Sequence, residues 1–495
     1  MTARTRIAAA VAALSVAGAA TILAAGGPGA QPPPSSQAVV IKGKAPVSSQ
    51  VLQVKLPRPQ EADLASGVHL MVLEDHRAPQ ITFQLIIPGA GGYYDPPDHP
   101  GLAQFTAALM REGTATKTSE QISAELETIA ATLNVNAGLS AQDATVAGSS
   151  LSEHFGRLLD LTADVLLNPA FRDEELARYK LQQRAQLTQI RAQSSFLAAE
   201  RFNKVVFGDH PGARIMPSLT ALEKTAHDAL VAAHKTRYVP DHAILAIAGD
   251  VTMAEARTLV DAKLGTWKNA GAPKPGVADP TPLERPGVYL VARPNSVQTD
   301  LVVGTQAISR TSPDYFNLTV MNKVIGGGPT GRLFVHLREE KGYTYGAYSN
   351  LGAVSYRGVW MASTQVRTDV TKPALTDLLD EIRQMREIRV PDQEFLDNKR
   401  AIVAGFALEL ESPQAVLVDH ITRYRYGLPI DYWDKYPERI MAVTQQDVLA
   451  AAKKYLDPSR LQIVAVGNAD AIAEFLKTLG ALEVYDTEGK RISEK

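Results

Sequence analysis

Two short β-rich runs, 68–74 and 80–87, open the readable part of the chain and are separated by a polar turn, the pattern of neighbouring antiparallel strands. Residues 101–114 change period. Phe105, Ala108, Leu109 and Met110 fall on one helical face, and Gly113 supplies a C-terminal stop. A second helix is predicted from Ser119 through Ile122, Leu126 and Ile129, after which Asn134-Val135-Asn136-Ala137 leads into a strand over 144–149. Helical spacing returns over 153–167 and 173–191, and an apolar run at 243–251 reads as a buried strand followed by a helix over 253–264.

Residues 268–286 shift to Gly, Ala and Pro, which marks a linker. The pattern then repeats in outline. A strand at 299–306 precedes a helix at 314–325, and Leu461-Gln462-Ile463-Val464-Ala465-Val466-Gly467-Asn468 echoes the strand at 243–250, again with a helix behind it. Matching starts and matching strand-Gly-Asx-helix ends argue for a tandem duplication of an α+β unit. The expected division is 51–267 for the first domain, 268–286 for the linker, 287–485 for the second domain and 486–495 for a tail.

Composition narrows the classes. With 495 residues, 45% hydrophobic, and a formal charge of -2, the chain is an ordinary globular protein with no basic excess to suggest a nucleic-acid partner. The count of cysteines is 0, which removes disulfides, thiolate metal sites and cysteine nucleophiles. Residues 1–25 carry Arg4 and Arg6 ahead of an Ala-rich apolar run and read as a secretory signal peptide; an uncleaved membrane anchor is the alternative. Residues 26–50, rich in Pro, Gly, Ser and Gln, read as a disordered leader.

The stretch from Gly101 to Thr114 resembles the pitrilysin/insulinase family of zinc peptidases, whose motif here reads roughly G-L-A-H-F-L-E-H-M-L-F-K-G-T. That inverted zinc motif places two histidines four apart on one helical face to share a Zn²⁺, with a glutamate as general base on the bound water. In this chain the positions are Gln104 and Ala108 for the histidines and Ala107 for the base. The family's third ligand is a glutamate in a later helix, and the nearest match, Ala185-Gln186-Leu187-Thr188-Gln189, puts Gln189 there. An amide is a poor zinc ligand and a methyl offers no lone pair, so the resemblance implies a degenerate site and no metal on this chain.

The segment from Asn322 to Tyr348 is similar to the family's second-domain pattern L-G-G-G-x-x-S-R-L-F-x-x-L-R-E-x-x-G-L-x-Y, with Gly331 standing where serine is usual. In the family an arginine and a tyrosine of this segment point toward the zinc-bound substrate, and Arg338 and Tyr345, seven apart, fit that spacing. A guanidinium and a phenol can donate to the substrate backbone and to the oxyanion that develops when water attacks a peptide carbonyl. Read without the family, Arg338 is a helix-surface cation paired with Glu339 or Glu340, and Tyr345 is a strand aromatic on the core. The resemblance also marks Gly326, Gly327 and Gly328 and the Asn136-Ala137 pair, which precedes the family's substrate-pairing edge strand, as substrate-binding positions; by itself Asn136-Ala137 is a strand entry. No G-K-[ST] follows the glycine run, which argues against a nucleotide site. His336-x-x-Glu339 lacks a second histidine, His227 and His234 lack a third ligand, and Asp241-His242 has no serine elbow to serve.

Some members of the family divide the zinc motif and the Arg/Tyr pair between two chains. The resemblance therefore implies a zinc-less subunit of a heterodimeric metallopeptidase, and the signal-like residues 1–25 add export, expected to the bacterial periplasm, with no stable membrane span once the signal is removed. Its partner would be a homologous zinc-bearing subunit and its substrate a peptide. The alternative is a non-hydrolytic peptide-binding or assembly subunit.

Overall fold

The computed structural model describes residues 53–492; the expected signal segment at 1–25 and leader at 26–50 lie outside the described residues. Two six-stranded sheets, one in each half of the chain, form the frame. The first contains β1 (Gln60–Asp63), β2 (His69–Glu74), β3 (Gln80–Pro88), β4 (Thr132–Ala137), β5 (Asp143–Leu151) and β6 (Ile244–Gly249) in the order β1-β2-β6-β3-β5-β4.

This order corrects the hairpin expected of β2 and β3. Strand β6 lies between them, parallel to β2 and antiparallel to β3. Every residue of β6 is apolar or glycine and buried, so it belongs at the sheet centre with both faces covered. The short turn after β2 crosses over its end, with Asp75 N–H donating to Gly249 O at 2.8 Å and Asp250 N–H to Gln80 O at 3.0 Å. A second correction concerns 134–137. These residues are themselves strand, the last four of β4, at the open edge of the sheet.

The second sheet holds β7 (Gly287–Ala292), β8 (Gln298–Gln306), β9 (Thr344–Gly352), β10 (Val359–Arg367), β11 (Gln462–Gly467) and β12 (Leu482–Tyr485) in the order β12-β7-β11-β8-β10-β9. Five strands repeat the first sheet position for position, with β11 buried throughout at the place of β6. The sixth differs. Strand β1 precedes its neighbour and runs antiparallel to it, whereas β12 arrives from the far end of the chain and runs parallel to β7.

Five helices position the site and join the halves: α1 (Leu102–Met110), α2 (Asp173–Arg191), α3 (Ser194–Phe207), α4 (Tyr315–Ile325) and α5 (Pro413–Arg425). The halves trade helices. Leu197, Phe202 and Val206 of α3 join Val302, Val464 and Val466 of the second sheet in one buried cluster, while Val416, Leu417 and Ile421 of α5 join Met71, Ile244 and Ala246 of the first. Full burial of one such side chain stabilises by about 1.5 to 3 kcal/mol, so each sheet depends on a helix from the other half.

The stretch 268–286 has no regular secondary structure, yet it is fastened along its length. Buried Asp241 accepts from Ala270 N–H (2.8 Å) and Ala272 N–H (2.6 Å), Ala278 N–H donates to Tyr93 Oη (3.0 Å), and Gln306 Nε2 donates to Thr281 O (2.7 Å). Residues 485–489 are also held. Arg191 Nη2 donates to Thr487 O (2.7 Å), Arg201 Nη2 to Gly489 O (2.9 Å), and the Arg201 guanidinium lies 3.4 Å from the centre of the Tyr485 ring.

Candidate functional site

Helix α1 is held by its beginning. Gly101, with φ of 102°, turns the chain into the helix through a conformation open to glycine, and an added Cβ would sit 2.8 Å from Pro217. The first N–H groups of the helix find a carboxylate. Asp95, whose side chain is fully buried, accepts from Gly101 N–H (2.9 Å) and Ala103 N–H (3.1 Å) and pairs with Arg237 at 2.6 Å. A negative group here satisfies orphan donors and suits the positive end of the helix dipole. At the far end, Arg111 Nη1 donates to Leu133 O at 2.7 Å and fastens α1 to the edge strand β4.

Within α1 seven of nine residues are buried, and the two that are not are Gln104 and Ala108. The two positions a zinc motif would fill thus share one accessible stripe. Ala107, where the base would stand, is 1% exposed, and Gln189 projects from an exposed face of α2. Phe105 packs edge-on against Tyr179 of α2, ring centres 6.0 Å apart, which sets the two helices together.

Zinc does not fit what these positions carry. Gln104 brings a carboxamide whose Oε1 is buried without a hydrogen-bond partner, Ala107 and Ala108 bring methyl groups, and Gln189 brings a second amide. Among the described residues, no group of three or more His, Cys, Asp or Glu side chains is placed to hold a metal ion. The histidines singled out in the sequence have other partners. His234 Nε2 lies 2.8 Å from Leu166 O and the ring stacks on Tyr238, with burial holding its pKa below the usual value. His336 Nδ1 lies 2.9 Å from Glu381, and His227 pairs with Asp228 at 3.2 Å.

In the second half, α4 ends on the glycine run. The backbone packs so closely here that a Cβ on Gly331 would lie 2.7 Å from Gly326 Cα, a physical reason for glycine where serine is usual in the family. Gly326 O accepts from Ser349 N–H at 2.8 Å, and Lys323 Nζ donates to Gly327 O at 3.0 Å. These contacts account for Gly326, Gly327 and Gly328 as a tight connection; Gly328 has φ of 145°.

The next segment widens from one α-helical turn at Arg332–Phe334 into a π-helical turn at Val335–Glu340, which ends with Lys341 N–H donating to His336 O at 3.1 Å. Such wide turns are rare and concentrate at functional sites. Arg338 sits on this turn, paired with Glu339 and lying 5.2 Å from the centre of the Phe334 ring, which in turn stands 5.4 Å from Tyr348.

Tyr345 is not on the core. It is 95% exposed on β9, the edge strand of the second sheet, and among the described residues its side chain makes no hydrogen bond or ring contact. The cause is a bulge. Opposite β10 the register passes from Thr344↔Val366 to Ala347↔Thr364, so Tyr345 and Gly346 share the space across from Gln365. Thr344 Oγ1 takes the Gly346 N–H (3.0 Å), and Thr364 Oγ1 donates to Gly346 O (3.0 Å), which holds the extra residue in place. A bulge re-aims a side chain that regular pleating would have turned elsewhere.

Asn136 is exposed and Ala137 buried at the end of β4, paired with Thr145 and Ala144 of β5 on one side and open on the other. The structure thus gathers Gln104, Ala108 and the β4 edge around α1 on the first sheet, and Arg338 and Tyr345 at the β9 edge of the second. Sequence reasoning missed Asp95 and Arg237, although an acid six residues ahead of the helix-opening glycine is the available signal. It also missed the Phe334 and Tyr348 platform under Arg338.

A tandem α+β pair whose ligand positions hold amides and methyls defines a peptidase scaffold without its metal centre. Two family models match: insulinase (peptidase family M16) over residues 70–216 and the peptidase M16 inactive domain over residues 225–402. The chain belongs to the pitrilysin/insulinase (M16) family and is of the kind that lacks the zinc motif. It is 22% identical over 328 residues to the uncharacterized zinc protease YmxG of Bacillus subtilis, covering 66% of this chain and 78% of the relative. It is 28% identical over 258 residues to the uncharacterized zinc protease ML0855 of Mycobacterium leprae, covering 51% and 56%. Among solved structures, the peptidase M16 inactive domain from Pseudomonas fluorescens superposes with a TM-score of 0.74 at 27% identity, over 83% of this chain and 98% of that one. A Helicobacter pylori protease gives 0.75 at 15% identity, over 83% and 100%, a likeness of fold.

Proposed function

We propose that this chain is the zinc-less subunit of an exported heterodimeric metallopeptidase, and that Arg338 and Tyr345 complete a peptide-cleaving site whose metal belongs to a homologous partner. Export rests on the signal-like pattern of residues 1–25. The observation that carries the proposal is Tyr345: a phenol 95% exposed, lifted by a bulge from an edge strand, with no partner of its own among the described residues. An apolar-bodied side chain held in water without a packing role is available to another molecule. Arg338, on a π-helical turn seven residues earlier, adds a cation whose ion-pair partner among the described residues is the adjacent Glu339. Together they can donate to an extended peptide backbone and to negative charge developing on a carbonyl oxygen.

The test is peptide hydrolysis by the complex with a homologue that carries an intact H-x-x-E-H motif. Tyr345→Phe and Arg338→Ala should each lower turnover by about 100-fold with the complex still assembled. Unchanged turnover would assign the chain to the second reading, a non-hydrolytic binding or assembly subunit.

A further inference from the structure

A cavity of about 330 Å³ lies where the first sheet, the 268–286 segment and α5 meet, and no residue of α1 or of the Arg338 turn lines it. Its charged groups come from all three. Asp143 opens β5, Arg425 closes α5, and Lys274 stands at the rim. Asp143 and Arg425 are ion-paired to each other, while Lys274 is exposed and has no hydrogen-bond or ion-pair partner among the described residues. The tyrosines Tyr94, Tyr424 and Tyr426 and the apolar Ile244 form part of the wall, and the polar side chains of Gln142, His242, Thr311 and Ser355 form another part.

Two cations face one carboxylate, so the cavity carries one positive charge in excess. A monoanion balances that excess, whereas a dianion would bring uncompensated charge into a partly buried site. Among monoanions, a carboxylate matches the planar guanidinium fork of Arg425, and tyrosine walls favour a flat apolar body. The volume is at the lower end of the range for small-molecule sites. Burial raises the Asp143 carboxyl against the pull of Arg425 and Lys274, and burial with the Asp143 charge lifts the Tyr94 phenol to about 12.

We infer that this cavity binds a small organic carboxylate with a flat apolar body, the carboxylate between Lys274 and Arg425 and the body against the tyrosines. A ligand here touches both halves and the segment joining them. Binding therefore stabilises their association by mass action, independently of any zinc-bearing partner.

The experiment uses the full chain alone, titrated calorimetrically with N-acetylphenylalanine and with its neutral amide. The acid should bind with one-to-one stoichiometry and the amide about tenfold more weakly. Lys274→Ala should weaken the acid by a similar factor, leave the amide unchanged, and keep the melting temperature of the free protein, because Lys274 makes no contact the fold needs. Equal affinity for acid and amide, no binding of either, or acid binding indifferent to Lys274→Ala would each overturn the inference.

Discussion

At the scale of single residues, Gln104 and Ala108 stand where the resemblance expects two zinc-binding histidines and carry none of that chemistry. Gln104 and Ala108 still share the one accessible stripe of α1, one turn apart, because the rest of the helix is committed to the core. Asp95 keeps the helix in place, and its removal takes the counter-charge from Arg237 and the acceptor from the Gly101 and Ala103 N–H groups. Asp95→Ala is expected to cost about 3 kcal/mol, measurable as a shift in the urea midpoint. A second residue writes a pH signature into stability. Burial, with the nearby Glu409 adding to it, raises the Asp419 carboxyl from 3.8 to about 7 against the opposing charge of Arg310. A group raised on folding binds more protons in the native than in the unfolded chain. Its stabilising contribution is complete below 3.8 and lost as pH rises through about 7. Chemical denaturation across that window should show stability falling with pH, and Asp419→Asn should flatten the slope.

At the scale of elements, local pattern and long-range order part company. The strand and helix at 243–264 were legible because an uninterrupted apolar run bounded by Gly249 and a Thr252 capping box needs no tertiary partner to be read. The direct β2–β3 pairing expected from the sequence fails for the complementary reason: a short polar turn is compatible with adjacent strands and equally with strands straddling a third, and β6 is more than 150 residues away in sequence. The degenerate motif and the Arg338–Tyr345 spacing were visible because each is a local string. The bulge that exposes Tyr345 was not, since it is defined by residues 364–366 on another strand. Helix α3 shows the same limit, because its apolar face packs on a sheet built from residues beyond 287. Phe202, fully buried there, offers the test. Phe202→Ala should destabilise by about 3 to 5 kcal/mol, and a single denaturation transition would show that the halves unfold together.

At the scale of the whole molecule, the exchanged helices make the 268–286 segment dispensable as a tether. Gly276 is exposed and nothing lies within 4 Å of the place its Cβ would occupy, so a protease site inserted there should be cut in the native protein. The two fragments are expected to elute together on gel filtration and to separate only in denaturant; fragments that part under native conditions would contradict the shared cores. The same interlock bears on history. If the duplication joined two copies of a half-length gene, each copy left a sheet uncovered until a second supplied a helix, so the ancestral product worked as a twofold pair. In such a fused pair the two halves are free to differ, and here the first carries glutamine and alanine on α1 while the second presents Tyr345.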